Sequence, residues 1–369
     1  MVAHPSSLTH TAQFWRSLMQ WVGGVGVIVL MLSILARPGT GAFALYRAEA
    51  REERIKPSII STVRMTWWIY LILTSFSILL FFLAGMKPWE AINHAMTTLG
   101  TGGFTVTDKS MAYYDNFLIE LAVIPMMILG AIPFLVHYKA LKGNFKTLFK
   151  DVQCRAFVVI LVILLVPLFA ANCALYGDVL NSLRFSSFQL ISGLTCTGFQ
   201  TTGVHDWSGT GIMIMCMSMI IGGGMGSTAG GVKLIRVVIA YKWIRWSLRR
   251  NFLPPRAIIS VRLGDRLLEK EEIVKIVSES SLIIILWLLF LFAGICVLSS
   301  VVGSQFQLGE VMFEVASAQG NVGLSTGITN AGMPYIAKVM LILNMWIGRL
   351  EIIPVLMLFR ALMKGFEPI

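Results

Sequence analysis

Residues 194–200 read Leu194-Thr195-Cys196-Thr197-Gly198-Phe199-Gln200, and the same frame returns at constant offsets of 95 and 125 residues. Upstream stands Leu99-Gly100-Thr101-Gly102-Gly103-Phe104-Thr105; downstream stands Gln319-Gly320-Asn321-Val322-Gly323-Leu324-Ser325. Each stretch follows a short amphipathic segment, near 89–99, 180–194 and 308–319, and each segment follows a long apolar run, near 63–86, 156–177 and 279–303. A second apolar helix closes each unit, near 115–138, 208–245 and 333–363. These helices keep the register as well. Gly130, Gly222 and Gly348 fall 27, 24 and 25 residues after their loop glycines, and Trp21-Val22-Gly23-Gly24 is similar to Trp346-Ile347-Gly348-Arg349. Three copies in register imply pseudo-symmetric units packed about an axis, with no linker-separated soluble domain.

Composition says where such units live. In 369 residues, 56% are apolar and 13% charged, and the mean hydropathy is +0.76, which excludes an ordinary soluble protein. Uncharged stretches at 17–36, 65–86, 156–177 and 280–308 each reach the roughly 20 residues a helix needs to cross a bilayer. They are continuous rather than alternating, which excludes a β-barrel. The fold class expected is an all-α polytopic protein of the cell membrane. The helix at 14–36 reads as the second helix of a fourth, amino-terminal unit. Residues 1–11 lack the basic start of a signal peptide, so the expectation is that further helices precede it.

The net charge of +11 reads as topology. Five Lys and Arg lie at 37–57, five at 139–155 and ten at 236–275, while the alternate connections hold Lys87, Lys109, Arg184 and Lys338. The first set is expected on the cytoplasmic side. The block Arg245, Arg249, Arg250, Arg256 fits contact with anionic lipid better than with RNA, so no nucleic-acid partner is expected. Five cysteines without CxxC spacing argue for neither a disulfide framework nor a zinc site. No Ser/His/Asp set, HExxH or P-loop is visible, and Gly224-x-Gly226 follows no strand, so no enzyme and no cofactor are expected.

The segments near 89–99, 180–194 and 308–319 are too short to span, which makes them re-entrant helices. Irregular backbone at membrane depth is tolerated only where it is buried in protein or lines a watered path. A Gly/Thr-rich turn after a short helix can aim carbonyl oxygens at a dehydrated cation, with the negative helix end behind them. Glu90 and Glu310, near the starts of two short helices, are expected as caps, and His94 as a packed side chain. The helix 208–245 is interrupted by Gly222-Gly223-Gly224-Met225-Gly226-Ser227-Thr228-Ala229-Gly230-Gly231-Val232-Lys233, too many glycines for one regular helix. A flexible intramembrane loop that could obstruct a path is expected there. Arg349, inside a spanning helix, needs a partner; Glu351 is two residues on and off its face, so the partner expected is the 222–233 loop, the alternative being that Arg349 anchors two helices by bonding their carbonyls.

These residues, the Gly-Ser-Thr-Ala-Gly-Gly-Val-Lys run above all, together with Trp15-Arg16-Ser17 and Gln20-Trp21-Val22-Gly23-Gly24, resemble the Trk/Ktr/HKT superfamily of cation transporters over residues 12–365. The resemblance implies a pseudo-fourfold array of helix–pore loop–helix units around a central pore. The units would be 12–60, the remainder of a truncated first one, then 61–150, 151–272 and 273–369. It implies a filter binding K⁺ at the carbonyls of Gly100, Thr101, Gly102 and Gly103, of Thr195, Cys196, Thr197 and Gly198, and of Gly320, Asn321, Val322 and Gly323. It implies a gate loop of Gly222, Gly223, Gly224, Gly226, Ser227, Thr228, Gly230, Gly231 and Lys233, approached by Arg349. A homodimer in membrane lipid and a cytosolic nucleotide-binding regulatory subunit of the RCK type are implied too. A helix and loop before Trp15 belong to that pattern and are not in this sequence, so three filter walls of four are expected. The position associated with Na⁺ or K⁺ preference in plant members falls in that gap. The function implied is the conducting subunit of a potassium uptake system. Alternatives are a non-conducting assembly subunit, a Na⁺-conducting or Na⁺-coupled relative, and a transporter of organic solutes.

Overall fold

The computed structural model describes residues 4–26, 59–252, 254, 261–263, 266–268, 270–350, 352–353, 355–356 and 360. The basic segment expected at 37–57, the later part of the helix expected at 14–36, and most of the chain beyond 350 lie outside them.

Helix α1 (His10–Val25) starts at Thr9, whose side chain accepts from the Ala12 amide. The next unit comprises α2 (Ile59–Leu83), the short α3 (Pro88–Leu99), α4 (Phe117–Ala131), α5 (Phe134–Leu141) and α6 (Lys146–Lys150). There follow α7 (Val152–Tyr176), short α8 (Val179–Leu194), α9 (Gly209–Ile221) and α10 (Leu234–Asn251), then α11 (Lys270–Val302), short α12 (Leu308–Gln319) and α13 (Tyr335–Leu350). Helices over Ser61–Leu83, Val152–Tyr176 and Glu271–Val302 are long and apolar enough to cross a membrane. The 12 residues of α3 and of α12 reach only about 18 Å, against a hydrocarbon thickness of about 30 Å.

One expectation needs amending. The helix expected over 115–138 is two helices, α4 and α5, bent by 107°. Ile132 leaves the helical region at ψ 141°, as the residue before Pro133 tends to. The fold is all-α as expected, with one small antiparallel hairpin in the basic connection, β1 (Val261–Leu263) with β2 (Arg266–Leu268), in register Val261↔Leu268.

Polarity is arranged inside out. On α7, Ile163 is 62% exposed and Val166 64%, whereas on α8 Ser186 and Gln189 are fully buried. Long apolar helices facing lipid and short polar-faced helices held among them put the loops at the centre of the protein. The α7–α8 turn is tight for local reasons. Gly177 ends α7 at φ 64°, and Asp178 starts α8 by accepting from the amides of Leu180 and Asn181. One apolar core, including Leu190, Met215, Met219, Phe313 and Val322, joins the last two units. A second, with Phe81, Met127, Phe188 and Phe199, joins the unit of α2–α4 to α8.

Candidate ion path

The three loops share one backbone path. The short helices end on Gly100, Thr195 and Gly320 at φ −71°, −78° and −72°. Then come Thr101, Cys196 and Asn321, all in the left-handed region at φ 47°, 57° and 56°, which side chains other than glycine occupy rarely. Gly103, Gly198 and Gly323 follow with φ 69°, 85° and 97°. Hydrogen bonds repeat with the same spacing. The amides of Gly102, Thr197 and Val322 donate to the carbonyls of Thr97, Ser192 and Ser317, each at 2.9 Å. Those of Thr101, Cys196 and Asn321 donate to Thr98, Gly193 and Ala318, each at 3.1 Å. The register read from the sequence is thus also a register of dihedral angles.

Across the centre the loops meet head to tail. A Cβ placed on Gly103 would overlap the Thr197 carbonyl oxygen, and one on Gly198 would overlap that of Val322. From Gly323 the nearest atom is the Gly102 oxygen, 3.9 Å from such a Cβ. The carbonyl before each loop glycine therefore faces the glycine of a neighbouring loop, and the third step is the wide one.

Beneath this ring lies the 222–233 loop, between α9 and α10. Its bonds are many. The Gly224 amide donates to Ala131 at 2.9 Å, that of Leu234 to Gly223 at 2.9 Å, and that of Met225 to the Gln153 side chain at 2.7 Å. The Thr228 hydroxyl is 2.8 Å from both the Leu99 and the Gly130 carbonyls. A Cβ on Gly230 would overlap the Gly320 carbonyl. So the loop touches the carboxyl ends of α3 and α12, and its Ala229 and Val232 share one apolar core with Cys196. Its conformation is specified by these contacts. The Lys233 ammonium donates to the Ala229 carbonyl within the loop.

Arg349 finds its partner in this loop, and a second one besides. One guanidinium nitrogen donates to the Thr228 carbonyl at 2.8 Å; another donates to the carbonyls of Gly23 and, at 2.9 Å, Gly24 on α1. Gly24 in turn leaves no room for a Cβ against Gly100. Among the expected caps, Glu310 forms a capping box with Gln307 and also pairs with His205 at 2.6 Å. Glu90 accepts from the Tyr114 hydroxyl at 2.9 Å, and the cap residue of α3, Lys87, makes no side-chain cap bond.

A family model described as TrkH, a cation transport protein, matches residues 1–365. The chain belongs to that family. It is a multi-pass membrane protein of a transporter family, with no enzymatic role indicated by its relatives. An uncharacterized cation transporter of Methanocaldococcus jannaschii is 34% identical over 362 residues, covering 98% of this chain and 73% of the relative. The Trk system potassium uptake protein TrkH of Salmonella typhimurium is 32% identical, covering 96% of this chain and 74% of its own length. Among solved structures, that of the potassium transporter TrkH from Vibrio parahaemolyticus matches with a TM-score of 0.79 at 30% identity, over 96% of this chain and 73% of that one.

Three side chains that hold the loops escaped the reading of single motifs. Glu314, buried on α12, accepts from the hydroxyls of Ser325, Thr326 and Thr329 and from the amides of Thr326 and Thr329. Gln189 on α8 accepts from the Thr201 amide and donates to the Thr202 carbonyl. Gln20 on α1 bonds the Gly103 loop. The signal for two of them was available, because the offsets of 95 and 125 set His94, Gln189 and Glu314 in one column.

Proposed function

We propose that this chain is the conducting membrane subunit of a potassium uptake system. The carbonyls of residues 100–103, 195–198 and 320–323 would replace the hydration shell of K⁺, and the 222–233 loop would gate the path below. The observation that carries this reading is the head-to-tail ring, in which three loops of one backbone shape bring equivalent carbonyls to one centre. The short helices add their negative ends behind it. Relatives named for potassium uptake support K⁺ as the ion; a Na⁺-conducting or Na⁺-coupled relative would use the same architecture. Membrane lipid around the long helices, a homodimer and a cytosolic RCK-type subunit complete the proposed assembly. The wide step between Gly323 and Gly102 favours one refinement, that a fourth loop, from a longer chain or a second copy, completes the ring.

The test is tracer uptake of Rb⁺ and Na⁺ into liposomes holding the purified chain, beside a version carrying a fourth loop. Rb⁺ uptake that Gly198→Leu removes supports the reading; unchanged uptake and selectivity in that variant overturn it. Uptake confined to the four-loop version supports the refinement. For the gate, Arg349→Gln removes a charge bridging the 222–233 loop to α1 and should raise Rb⁺ uptake severalfold. A fall in uptake in that variant would refute an obstructing role for the loop.

A further inference from the structure

The loops differ in what holds their outer arms. Gln189 and Glu314 reach forward from their own short helices to the arm beyond the loop glycine. His94, at the equivalent position on α3, does not. Its Nδ1 pairs with the Glu90 carbonyl in its own helix at 2.8 Å, and its Nε2 has no hydrogen-bond partner among the described residues. The Gly103 loop is held from α1 instead. Gln20 Nε2 donates to the Gly102 carbonyl at 2.7 Å, and Gln20 Oε1 accepts from the Phe104 amide at 3.0 Å.

These two bonds bracket Gly103. They also select one carbonyl of the ring. The Gly102 oxygen is the counterpart of the Thr197 and Val322 oxygens, the two that abut a neighbouring glycine closely, and it is the one that stands clear. A carbonyl oxygen has two lone pairs, so it can accept from Gln20 and still face an ion, with its direction fixed and its field on the ion weakened. Without the amide the carbonyl turns freely and presents its full field. A stronger and more adaptable ligand gains most with the smaller cation.

We infer that Gln20 is a specificity-determining positioning residue, its amide holding the Gly102 carbonyl in the geometry that disfavours Na⁺ relative to K⁺. The inference rests on the reading of the loops as an ion filter, and the experiment separates the two. Rb⁺ and Na⁺ uptake are measured for the unsubstituted chain, for Gln20→Met, which keeps the length and loses both bonds, and for Gln13→Met as a control on the same helix. Gln13 bonds Pro5 and Trp89 and touches no loop carbonyl.

The expected result is a Na⁺/Rb⁺ uptake ratio raised about tenfold in Gln20→Met, the scale of one or two lost hydrogen bonds, with the ratio unmoved in Gln13→Met. If Gln20→Met folds poorly, Gln20→Asn, whose amide falls one methylene short of the loop, should shift the ratio in the same direction. A merely structural role would lower the amount of active protein and leave the ratio alone. Rb⁺ uptake with an unchanged ratio in both Gln20 variants overturns the inference and leaves the filter reading standing. No selective uptake by the unsubstituted or four-loop protein overturns the filter reading, and this inference with it.

Discussion

The Gly103 loop and the Gly323 loop have the same backbone and different fastenings. Both leave a short helix through a left-handed polar residue, Thr101 or Asn321, and reach glycine two residues later. Beyond the glycine, the Gly323 loop closes onto Glu314, a buried carboxylate of its own unit, while the Gly103 loop is tied to Gln20 on another helix and, further out, to the amino-terminal segment through Asp108. The inner path is fixed by steric limits on φ and by repeated short-range hydrogen bonds, so it recurs under divergent sequence. The outer arm is fixed by side chains, which differ from unit to unit. A ring built this way keeps equivalent carbonyls at its centre while each wall has its own stiffness.

The largest effect should separate two glycines that look alike in sequence. Gly198 and Gly323 both need positive φ, so alanine at either is strained by roughly 1–2 kcal/mol. Only at Gly198 would the new Cβ also overlap a carbonyl, that of Val322; at Gly323 the nearest atom is 3.9 Å away. Gly198→Ala should therefore reduce Rb⁺ uptake by more than about tenfold and Gly323→Ala by a factor of a few. Equal losses would show that strain alone matters and that the wide step has no consequence.

Next in size is the contrast between Glu314 and His94. Glu314→Ala leaves the Thr326 and Thr329 amides and three hydroxyls without their buried acceptor, a loss on the order of 3–5 kcal/mol. His94→Phe keeps the ring contacts with Tyr114 and Phe199 and gives up one bond to a helix carbonyl, about 1 kcal/mol. Thermal unfolding in detergent should show a much lower midpoint for the first than for the second. Similar midpoints would break the claim that one column of the repeat does different work in different units.

The sequence made the repeat legible because its period is carried by glycines and by helix lengths, which are read one residue at a time. The short helices at 88–99, 179–194 and 308–319 were visible for the same reason: polar and small residues between long apolar runs cannot be spans. The bend at Ile132–Pro133 could have been inferred from the proline, but its apolar surroundings read as one continuous helix. The left-handed Thr101, Cys196 and Asn321 gave no local warning, since three different side chains occupy one strained position. Gln20 belongs to the Gln20-Trp21-Val22-Gly23-Gly24 motif, yet its partners lie 82 and 84 residues away. Contacts of that range follow from how α1 packs against α3, which no periodicity encodes. Arg349 was legible in part: its charge demanded a partner and the glycine loop was the obvious one, whereas the Gly23 and Gly24 carbonyls came only with the fold.

The smallest effect sets an exposed carboxylate against the buried one. Asp108, on the arm beyond the Gly103 loop, accepts from the Ser6 amide at 2.9 Å and the Ser6 hydroxyl at 2.7 Å, with His4 Nδ1 at 3.7 Å. The bonds from the Ser6 amide and hydroxyl, with a lesser contribution from His4, hold its carboxyl below the usual carboxylate range. A depressed pKa means that the folded arrangement binds the proton less readily than the free chain. Its contribution is therefore in place above the ordinary carboxylate range and disappears as pH falls through the lowered value. The amino-terminal segment should then loosen on acidification, seen at Ser6 to Leu8 as a loss of amide protection relative to the intrinsic exchange rate at each pH, while the 325–329 segment on Glu314 keeps its protection. Asp108→Asn should give the low protection already at neutral pH and remove its acid dependence. Protection that still falls with acid in the variant would show that Asp108 is not the group responsible. An unaltered rate would mean that the Pro5 and Trp89 bonds to Gln13 alone hold the segment in place.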